Sequence, residues 1–467
     1  MTTLLSVEAA SVSAVTGEIV APVSFSLKAG RPFTILGETG SGKSLLAQAI
    51  IGILPEGLTA TGSVTIEGQT LSLAEPKLFR PLWGRKVGVL PQEPWLALDP
   101  TMVALEQVAE GHRYLGRLGE DESISAARTD LEALGVLDAE AKLPGQLSGG
   151  MAQRVAFAAA RAGGARIIIA DEPTKGLDVS RRDEVIALLM QEVAAGGTVL
   201  VITHDLALAR QMGGDLAVML EGKIIETGEA ADVLRAPSHD YTRRLIAAEP
   251  ENWPSRTSAA PEDIDPILIA SGLAKTRGGK MLFSGQDLSL RPGEIVGITG
   301  PSGSGKSSLG DVLLGLLKAD AGQVTRLPQA KAVRYQKLYQ DPPSAFPQKI
   351  TLGEAIADLV RLHRLDASRV QPLMERLRLS PVLLTRLPTE VSGGELQRFA
   401  LLRVLLLDPV FLFADEPTSR LDLITQQETI DLLTELARER NCAVLLVSHD
   451  AVMIEKTCDR QVQIGGL

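Results

Sequence analysis

Cysteine and long apolar runs are scarce in this sequence, and each scarcity excludes a class of protein. Only Cys442 and Cys458 occur in 467 residues, and their spacing matches no metal knuckle. Cys442 opens an apolar run, so we expect it to pack in a core, in a reducing compartment. No apolar run approaches the roughly 20 residues of a membrane helix. Residues 1–8 lack the pattern of a secretory signal. We therefore expect a soluble or peripheral protein.

An excess of positive charge is also missing. The chain has 47 Lys and Arg against 57 Asp and Glu, a formal net charge of −10. Proteins that bind nucleic-acid phosphates usually present basic surface. The charge balance therefore argues against nucleic acid as a partner.

Several sequence motifs occur twice in the chain, in the same order. The repeated motifs are a G-x-x-x-x-G-K-S loop (37–44 and 300–307), Ser-Gly-Gly (148–150 and 392–394) and Ala-Asp-Glu-Pro-Thr (170–174 and 414–418). An ordered duplicate indicates two similar domains. The segment between them is rich in Pro, Ser and charge and is predicted as a linker. The predicted divisions are 1–248, 249–265 and 266–467.

Each half predicts an α/β fold. Short apolar runs alternate with helical stretches, which is typical of parallel strands buried on both faces. The runs are 33–36, 167–170, 199–202, 295–298, 411–414 and 444–447. Helices are predicted from Ser44 to Leu54 and from Ser307 to Leu317. Further helix-rich segments are expected at roughly 100–160 and 350–405.

The glycine loops predict phosphate binding. Their glycines let backbone N–H groups turn inward, and the following helix directs its positive end at the anion. Lys43 and Lys306 should reach the β- and γ-phosphates, and the hydroxyls of Ser44 and Ser307 should ligate Mg²⁺. The loop glycines are Gly37, Gly40, Gly42, Gly300, Gly303 and Gly305.

Two adjacent carboxylates follow a predicted strand in each half. Asp171 and Asp415 are expected to bind the metal. Glu172 and Glu416 are expected to act as general bases that take a proton from the attacking water.

Other polar residues recur at matching positions. His204 and His449 follow apolar strands and are predicted to sense the γ-phosphate. Gln92 and Gln340 precede prolines and are interpreted as hinges that touch the metal and the water.

The Ser-Gly-Gly motifs predict a second anion clamp in each half. A hydroxyl and bare N–H groups at a helix start can bind phosphate. The residues are Ser148, Gly149, Gly150, Ser392, Gly393 and Gly394. Bringing a loop and a clamp to one nucleotide is simplest if the halves pair head to tail.

Together these motifs resemble ATP-binding cassette (ABC) ATPases over nearly the whole chain, as two cassettes. The resemblance implies RecA-like cores with helical subdomains, ATP and Mg²⁺ as cofactors, ATP hydrolysis, and D-loops at Asp178 and Asp422. It also implies two composite sites. The first joins Lys43, Asp171, Glu172 and His204 to the motif at 392–394. The second joins Lys306, Asp415, Glu416 and His449 to the motif at 148–150.

A narrower resemblance concerns transport. Residues 237–245, with Gln-Glu-Pro at 92–94 and Gln-Asp-Pro at 340–342, are similar to the oligopeptide/dipeptide/nickel importer ATPases. It implies an importer subunit for peptides, nickel or related solutes on the cytoplasmic face of the inner membrane. Its partners would be two permease subunits and a solute-binding protein.

Departures from the family bear on ligands and alternatives. Asp240 stands where proline is usual, and 12–16 and 274–278 contain no aromatic residue to stack on adenine. No cysteines occur directly after the Tyr-Thr motif at 241–242, where some relatives carry them for an iron–sulfur cluster, so we predict no cluster. The alternatives are a soluble tandem-cassette factor acting on ribosomes or nucleic acid, and fused sugar-importer or exporter cassettes. The short linker and acidic charge disfavour the first, and the Tyr-Thr tail disfavours the second.

Overall fold

In the computed structural model, the chain forms two compact units, residues 1–246 and 247–467. The structure describes residues 2–38, 40–91, 97–174, 179–256, 264–301, 303–327, 330–418 and 421–464. Among the described residues, no helix combines the length and apolar character needed to cross a bilayer.

The first unit contains a six-stranded sheet and a four-stranded antiparallel sheet. Its strands are β1 Thr3–Ala14, β2 Gly17–Lys28, β3 Phe33–Leu36, β4 Leu58–Ile66, β5 Gln69–Ser72, β6 Val87–Leu90, β7 Ile167–Asp171, β8 Thr198–Thr203, β9 Asp215–Leu220 and β10 Lys223–Glu229. The larger sheet has the order β10-β9-β3-β8-β7-β6 and is parallel except at β10. The smaller sheet has the order β2-β1-β4-β5.

The second unit repeats this plan with fewer strands. They are β11 Leu268–Arg277, β12 Lys280–Leu290, β13 Ile295–Thr299, β14 Ala321–Arg326, β15 Tyr335–Leu338, β16 Phe411–Asp415, β17 Ala443–Val447 and β18 Arg460–Gln463. The parallel sheet runs β15-β16-β17-β13-β18, and the antiparallel sheet runs β12-β11-β14. The predicted α/β architecture is confirmed in both units.

Some helices pack on the parallel sheets, and others pack on neighbouring helices. In the first unit they are α1 Lys43–Ile50, α2 Ala104–Glu110, α3 Glu120–Ala133, α4 Gly149–Arg161, α5 Val179–Ala194, α6 Leu206–Met212, α7 Ala230–Arg235 and α8 Asp240–Ala247. In the second they are α9 Lys306–Leu314, α10 Leu352–His363, α11 Val370–Arg376, α12 Gly393–Leu406, α13 Leu423–Glu439 and α14 Ala451–Thr457. The helices that pack on other helices include α2, α3, α10 and α11.

The helices after the glycine loops are shorter than predicted. The sequence predicted ends at Leu54 and Leu317, but α1 ends at Ile50 and α9 at Leu314. Gly52 and Gly315 follow with φ of 70° and 77°. A left-handed glycine terminates a helix because it turns the chain out of the helical path without steric cost.

The central strands contribute to cores on both faces of each parallel sheet. In β7, Ile167 and Ile169 pack in one cluster and Ile168 and Ala170 in another. Successive side chains of a strand point to opposite faces, so a strand covered on both sides is apolar throughout. The apolar runs of the sequence reflect this double burial.

Part of the segment predicted as a linker is packed in the second unit. Trp253 is 2% exposed within that unit's core, and its Nε1 donates to the Ala248 carbonyl oxygen at 2.9 Å. The Arg256 guanidinium lies 5.0 Å from the Trp253 ring centroid and pairs with Asp431. A single buried tryptophan thus attaches the start of this segment to the unit that follows it.

The prediction that Cys442 packs in a core is confirmed, and Cys458 is buried as well. Burial raises the pKa of both thiols to about 12. Both cysteines are therefore packing residues and poor nucleophiles at neutral pH.

Candidate nucleotide-binding sites

Each glycine loop connects a central parallel strand to a helix, β3 to α1 and β13 to α9. Gly42 and Gly305 cap these helices with φ of 95° and 98°. A Cβ atom on Gly37 or Gly300 would lie 2.2 Å from a neighbouring backbone carbonyl oxygen. Only glycine fits these positions, because a side chain would clash with the backbone of β9 or of the residue after β18. Gly40 and Gly303 also have positive φ.

The loop lysines lie inside their own loops. Lys43 Nζ donates to two loop carbonyl oxygens, at 2.8 and 2.7 Å, and Lys306 Nζ does the same at 2.9 and 3.0 Å. Both side chains are largely buried. Burial lowers the pKa of Lys306, although Glu416 and Asp415 oppose this effect. Each loop therefore carries a positive charge where a polyphosphate would bind.

The predicted metal ligands of the loop and of the strand end meet in both units. Ser44 Oγ donates to Asp171 Oδ1 at 3.1 Å, and Ser307 Oγ donates to Asp415 Oδ1 at 3.1 Å. Burial raises the pKa of Asp415, whereas the Ser307 hydroxyl lowers it. Hydroxyl and carboxylate oxygens are the hard ligands that suit Mg²⁺. The residues present fit a magnesium ion beside the phosphates.

The predicted general bases contact the predicted phosphate sensors. Glu172 Oε1 lies 2.7 Å from His204 Nδ1, and Glu416 Oε1 lies 2.7 Å from His449 Nε2. Both glutamates have φ of 48°, a left-handed conformation that is strained in a residue with a side chain. Hydrogen bonds from their N–H groups to carbonyls of the adjacent strand ends hold them there. Both units therefore share the same strained backbone conformation at the predicted general base.

The surroundings of the second glutamate shift its pKa. Burial raises the pKa of Glu416, and the strongest opposing influence is His449. Gln340 Nε2 donates to Glu416 Oε2 at 2.8 Å. The structure thus brings the predicted hinge glutamine to the predicted base.

The remaining predicted residues are Gln92 and the two D-loop aspartates. Gln92 and Asp178 lie outside the described residues. Asp422 caps α13, and its side chain accepts a hydrogen bond from the Thr425 N–H at 3.0 Å.

The Ser-Gly-Gly motifs begin helices, as predicted, with the serine as N-cap. Ser148 Oγ accepts from the Met151 N–H at 3.3 Å, and Ser392 Oγ accepts from the Glu395 N–H at 3.3 Å. Both helices start at the first glycine, Gly149 and Gly393. A Cβ at Gly149, Gly150 or Gly393 would meet open space, and one at Gly394 would lie 3.2 Å from Thr425 Cγ2. Ser148, Gly149, Ser392 and Gly393 are exposed, so the start of each helix is open to solvent.

One contact of the first loop was missed from the sequence. Tyr241, in the Tyr-Thr tail motif at the start of α8, is 5% exposed, and its hydroxyl accepts from the Glu38 N–H at 3.1 Å. The motif was noted as a family feature, but nothing local assigns it to a loop 203 residues away. The tail therefore supports the phosphate loop of the first unit.

The chain matches the family model described as ABC transporter at residues 20–175 and 283–419. It belongs to the ABC transporter family. The two matched ranges correspond to two ATP-binding cassettes in one polypeptide. Members of this family bind ATP with Mg²⁺, and this chain is an ATPase.

Curated relatives extend over nearly the whole cassette pair. The chain is 33% identical to "Peptidoglycan transport ATP-binding protein YejF" of Agrobacterium fabrum, over 93% of this chain and 85% of the relative. It is 32% identical to "Glutathione import ATP-binding protein GsiA" of Escherichia coli (strain K12), over 94% of this chain and 80% of the relative.

Among solved structures, the tandem cassettes are similar to the RNase-L Inhibitor, with a TM-score of 0.65 and 21% identity. The match covers 98% of this chain and 88% of that one. At this identity the likeness shows the fold alone.

Proposed function

We propose that this ABC ATPase is the energy-supplying subunit of a bacterial importer, with two working ATP sites. The observation that carries the proposal is that the loop lysine, the Ser–Asp contact and the Glu–His contact occur in both units. The Ser–Asp contact is 3.1 Å and the Glu–His contact 2.7 Å in each unit. Chemistry needs all of these groups: a lysine for the phosphates, oxygen ligands for Mg²⁺, and a base for water. Their presence in both units supports hydrolysis at both.

Each ATP is proposed to lie between the phosphate loop of one cassette and the Ser-Gly-Gly motif of the other. The exposed helix starts of α4 and α12 are suited to bind a γ-phosphate, because a helix N-terminus carries partial positive charge and unpaired N–H groups. ATP binding would then favour the closed pair, and hydrolysis would release it. This cycle supplies the mechanical step of transport.

Peptide-like solutes are the proposed cargo class. The two relatives named above are called peptidoglycan and glutathione transport proteins, and both compounds contain peptide chains. The Tyr-Thr tail, similar to that of the oligopeptide importers, supports the same class. Two permease subunits and a solute-binding protein are the proposed partners, at the cytoplasmic face of the inner membrane, without nucleic acid.

Affinity purification from native membranes tests the proposal. The tagged chain should bring down two permease subunits, and the solubilised complex should hydrolyse ATP faster when a peptide-loaded binding protein is added. The Glu172→Gln, Glu416→Gln double variant is the matched control, because it should keep the permeases and lose the stimulation. Recovery of ribosomal proteins without permeases would refute the importer role and favour a soluble factor.

A further inference from the structure

The second cassette has a largely buried lysine beside Asp415, the carboxylate proposed to bind magnesium. Lys337 lies on β15, next to β16, and its side chain is 12% exposed. Its Nζ is 2.7 Å from Asp311 Oδ1 and 3.8 Å from Asp415 Oδ2. The aromatic rings of Tyr339 and Phe413 each have their centroid 5.3 Å from the same atom.

These contacts hold the ammonium in one place. A short ion pair with Asp311 fixes one side, and two aromatic faces attract the cation from the others. A charge held this way is screened less by water than a mobile surface lysine. Asp415 therefore has a permanent positive neighbour within 4 Å.

The first cassette has neutral residues at both positions. Lys337 pairs with the strand residue two before Asp415, and Val89 pairs with the residue two before Asp171. Asp311 is five residues after its loop lysine, as is Gln48 in the first cassette. The charged pair in the second cassette thus corresponds to valine and glutamine in the first.

We propose that Lys337 lowers the Mg²⁺ affinity of the second ATP site relative to the first. The inference rests on the proposed assignment of Ser307 and Asp415 to Mg²⁺. A fixed positive charge beside a ligating carboxylate reduces the negative potential that attracts a divalent cation. Asp311 offsets part of that charge, so the effect is about three- to tenfold rather than larger. The two sites then fill with Mg-nucleotide at different Mg²⁺ concentrations.

The test is the Mg²⁺ dependence of binding of mant-AMPPNP, a fluorescent non-hydrolysable analogue, to the full-length protein. Lys43→Ala disables the first loop, so the signal reports the second site. In that background, Lys337→Val with Asp311→Gln reproduces the residues of the first cassette. We expect the half-saturating Mg²⁺ concentration to fall about three- to tenfold. Lys337→Arg, which keeps the charge, should retain the parent value.

A matched control removes a similar ion pair elsewhere in the second unit. Arg376 and Glu439 are also 2.7 Å apart, and Arg376 lies on α11. Arg376→Gln with Glu439→Gln should leave the Mg²⁺ dependence unchanged. An unchanged or increased Mg²⁺ requirement in the Lys337 double variant would overturn the proposal. If that variant does not fold, Lys337→Met in the same background removes the charge alone, and an unchanged or increased Mg²⁺ requirement in it would overturn the proposal.

Failure of the proposed function gives different results. No Mg²⁺ dependence in the Lys43→Ala parent would refute both the metal assignment and the role of Lys337. Loss of permease co-purification would refute the importer role and leave the Lys337 result intact.

Discussion

Replacing Trp253 with alanine should destabilise the second cassette strongly, although the residue lies in a segment that the sequence predicts as a linker. The side chain is 2% exposed, packs in the core of the second unit, and donates to the Ala248 carbonyl oxygen at 2.9 Å. Truncating a buried aromatic residue to alanine costs about 3–5 kcal/mol, which includes the cavity left behind. In a unit of this size, each kcal/mol lowers Tm by about 2–4 °C. We expect the second cassette to melt about 6–20 °C lower.

Differential scanning calorimetry of the full-length protein without nucleotide measures this change. Trp83→Ala is the matched control, because Trp83 Nε1 also donates to a backbone carbonyl oxygen at 2.9 Å, but its residue is 37% exposed. That variant should lose only about 1–2 kcal/mol of unfolding free energy. The Trp83 side chain buries less area, and water can reach the Ile51 carbonyl oxygen after truncation. This smaller loss should appear in the melting transition of the first cassette, because Trp83 lies in that unit.

A loss below about 1 kcal/mol in Trp253→Ala would refute the reasoning, because a truly buried tryptophan cannot be removed so cheaply. A loss equal to that of Trp83→Ala would have the same meaning. Either result would place residues 247–256 outside the second core.

Three further predictions concern the nucleotide sites. Glu172→Gln combined with Glu416→Gln should keep ATP binding and lower turnover by about 10²–10⁴-fold, because the amide cannot accept the proton of the attacking water. Phosphate release and equilibrium binding measure the two effects. Tyr241→Phe should weaken nucleotide binding by about two- to tenfold, since the Glu38 N–H loses its acceptor, as measured by titration with a fluorescent ATP analogue. In a Lys43→Ala protein, the acid limb of the pH–rate profile should lie above pH 4.5, the ordinary carboxyl value, because burial raises the pKa of Glu416.

The sign of the pH effect follows from the chemistry. A general base must be ionised, so activity is lost as pH falls through a pKa that burial has raised. An acid limb at or below the ordinary value would contradict this assignment. Wild-type turnover in the double glutamine variant would show that the glutamates do not activate the water. An unchanged nucleotide affinity in Tyr241→Phe would show that the contact between Tyr241 and the loop does not contribute to nucleotide binding.

Local patterns in the sequence predicted the strands, the phosphate loops and the polar residues at strand ends. The reason is that these features depend on near neighbours. An apolar run followed by glycines and a lysine specifies strand, turn and helix start within a few residues. Ser148 and Ser392 were likewise identifiable as helix starts. Helix ends were harder to place, because Gly52 and Gly315 stop α1 and α9 while apolar residues continue beyond them.

Only the tertiary structure decided which distant groups meet. Ser44 contacts Asp171 across 127 residues because β3 and β7 are separated by β8 alone in the parallel sheet. The same kind of pairing places Lys337 beside Asp415. The packing of Trp253 and the support of the first loop by Tyr241 also depend on elements far apart in the chain. Residue types and their spacing determine what chemistry is available. Sheet order and burial determine which side chains come together to perform it.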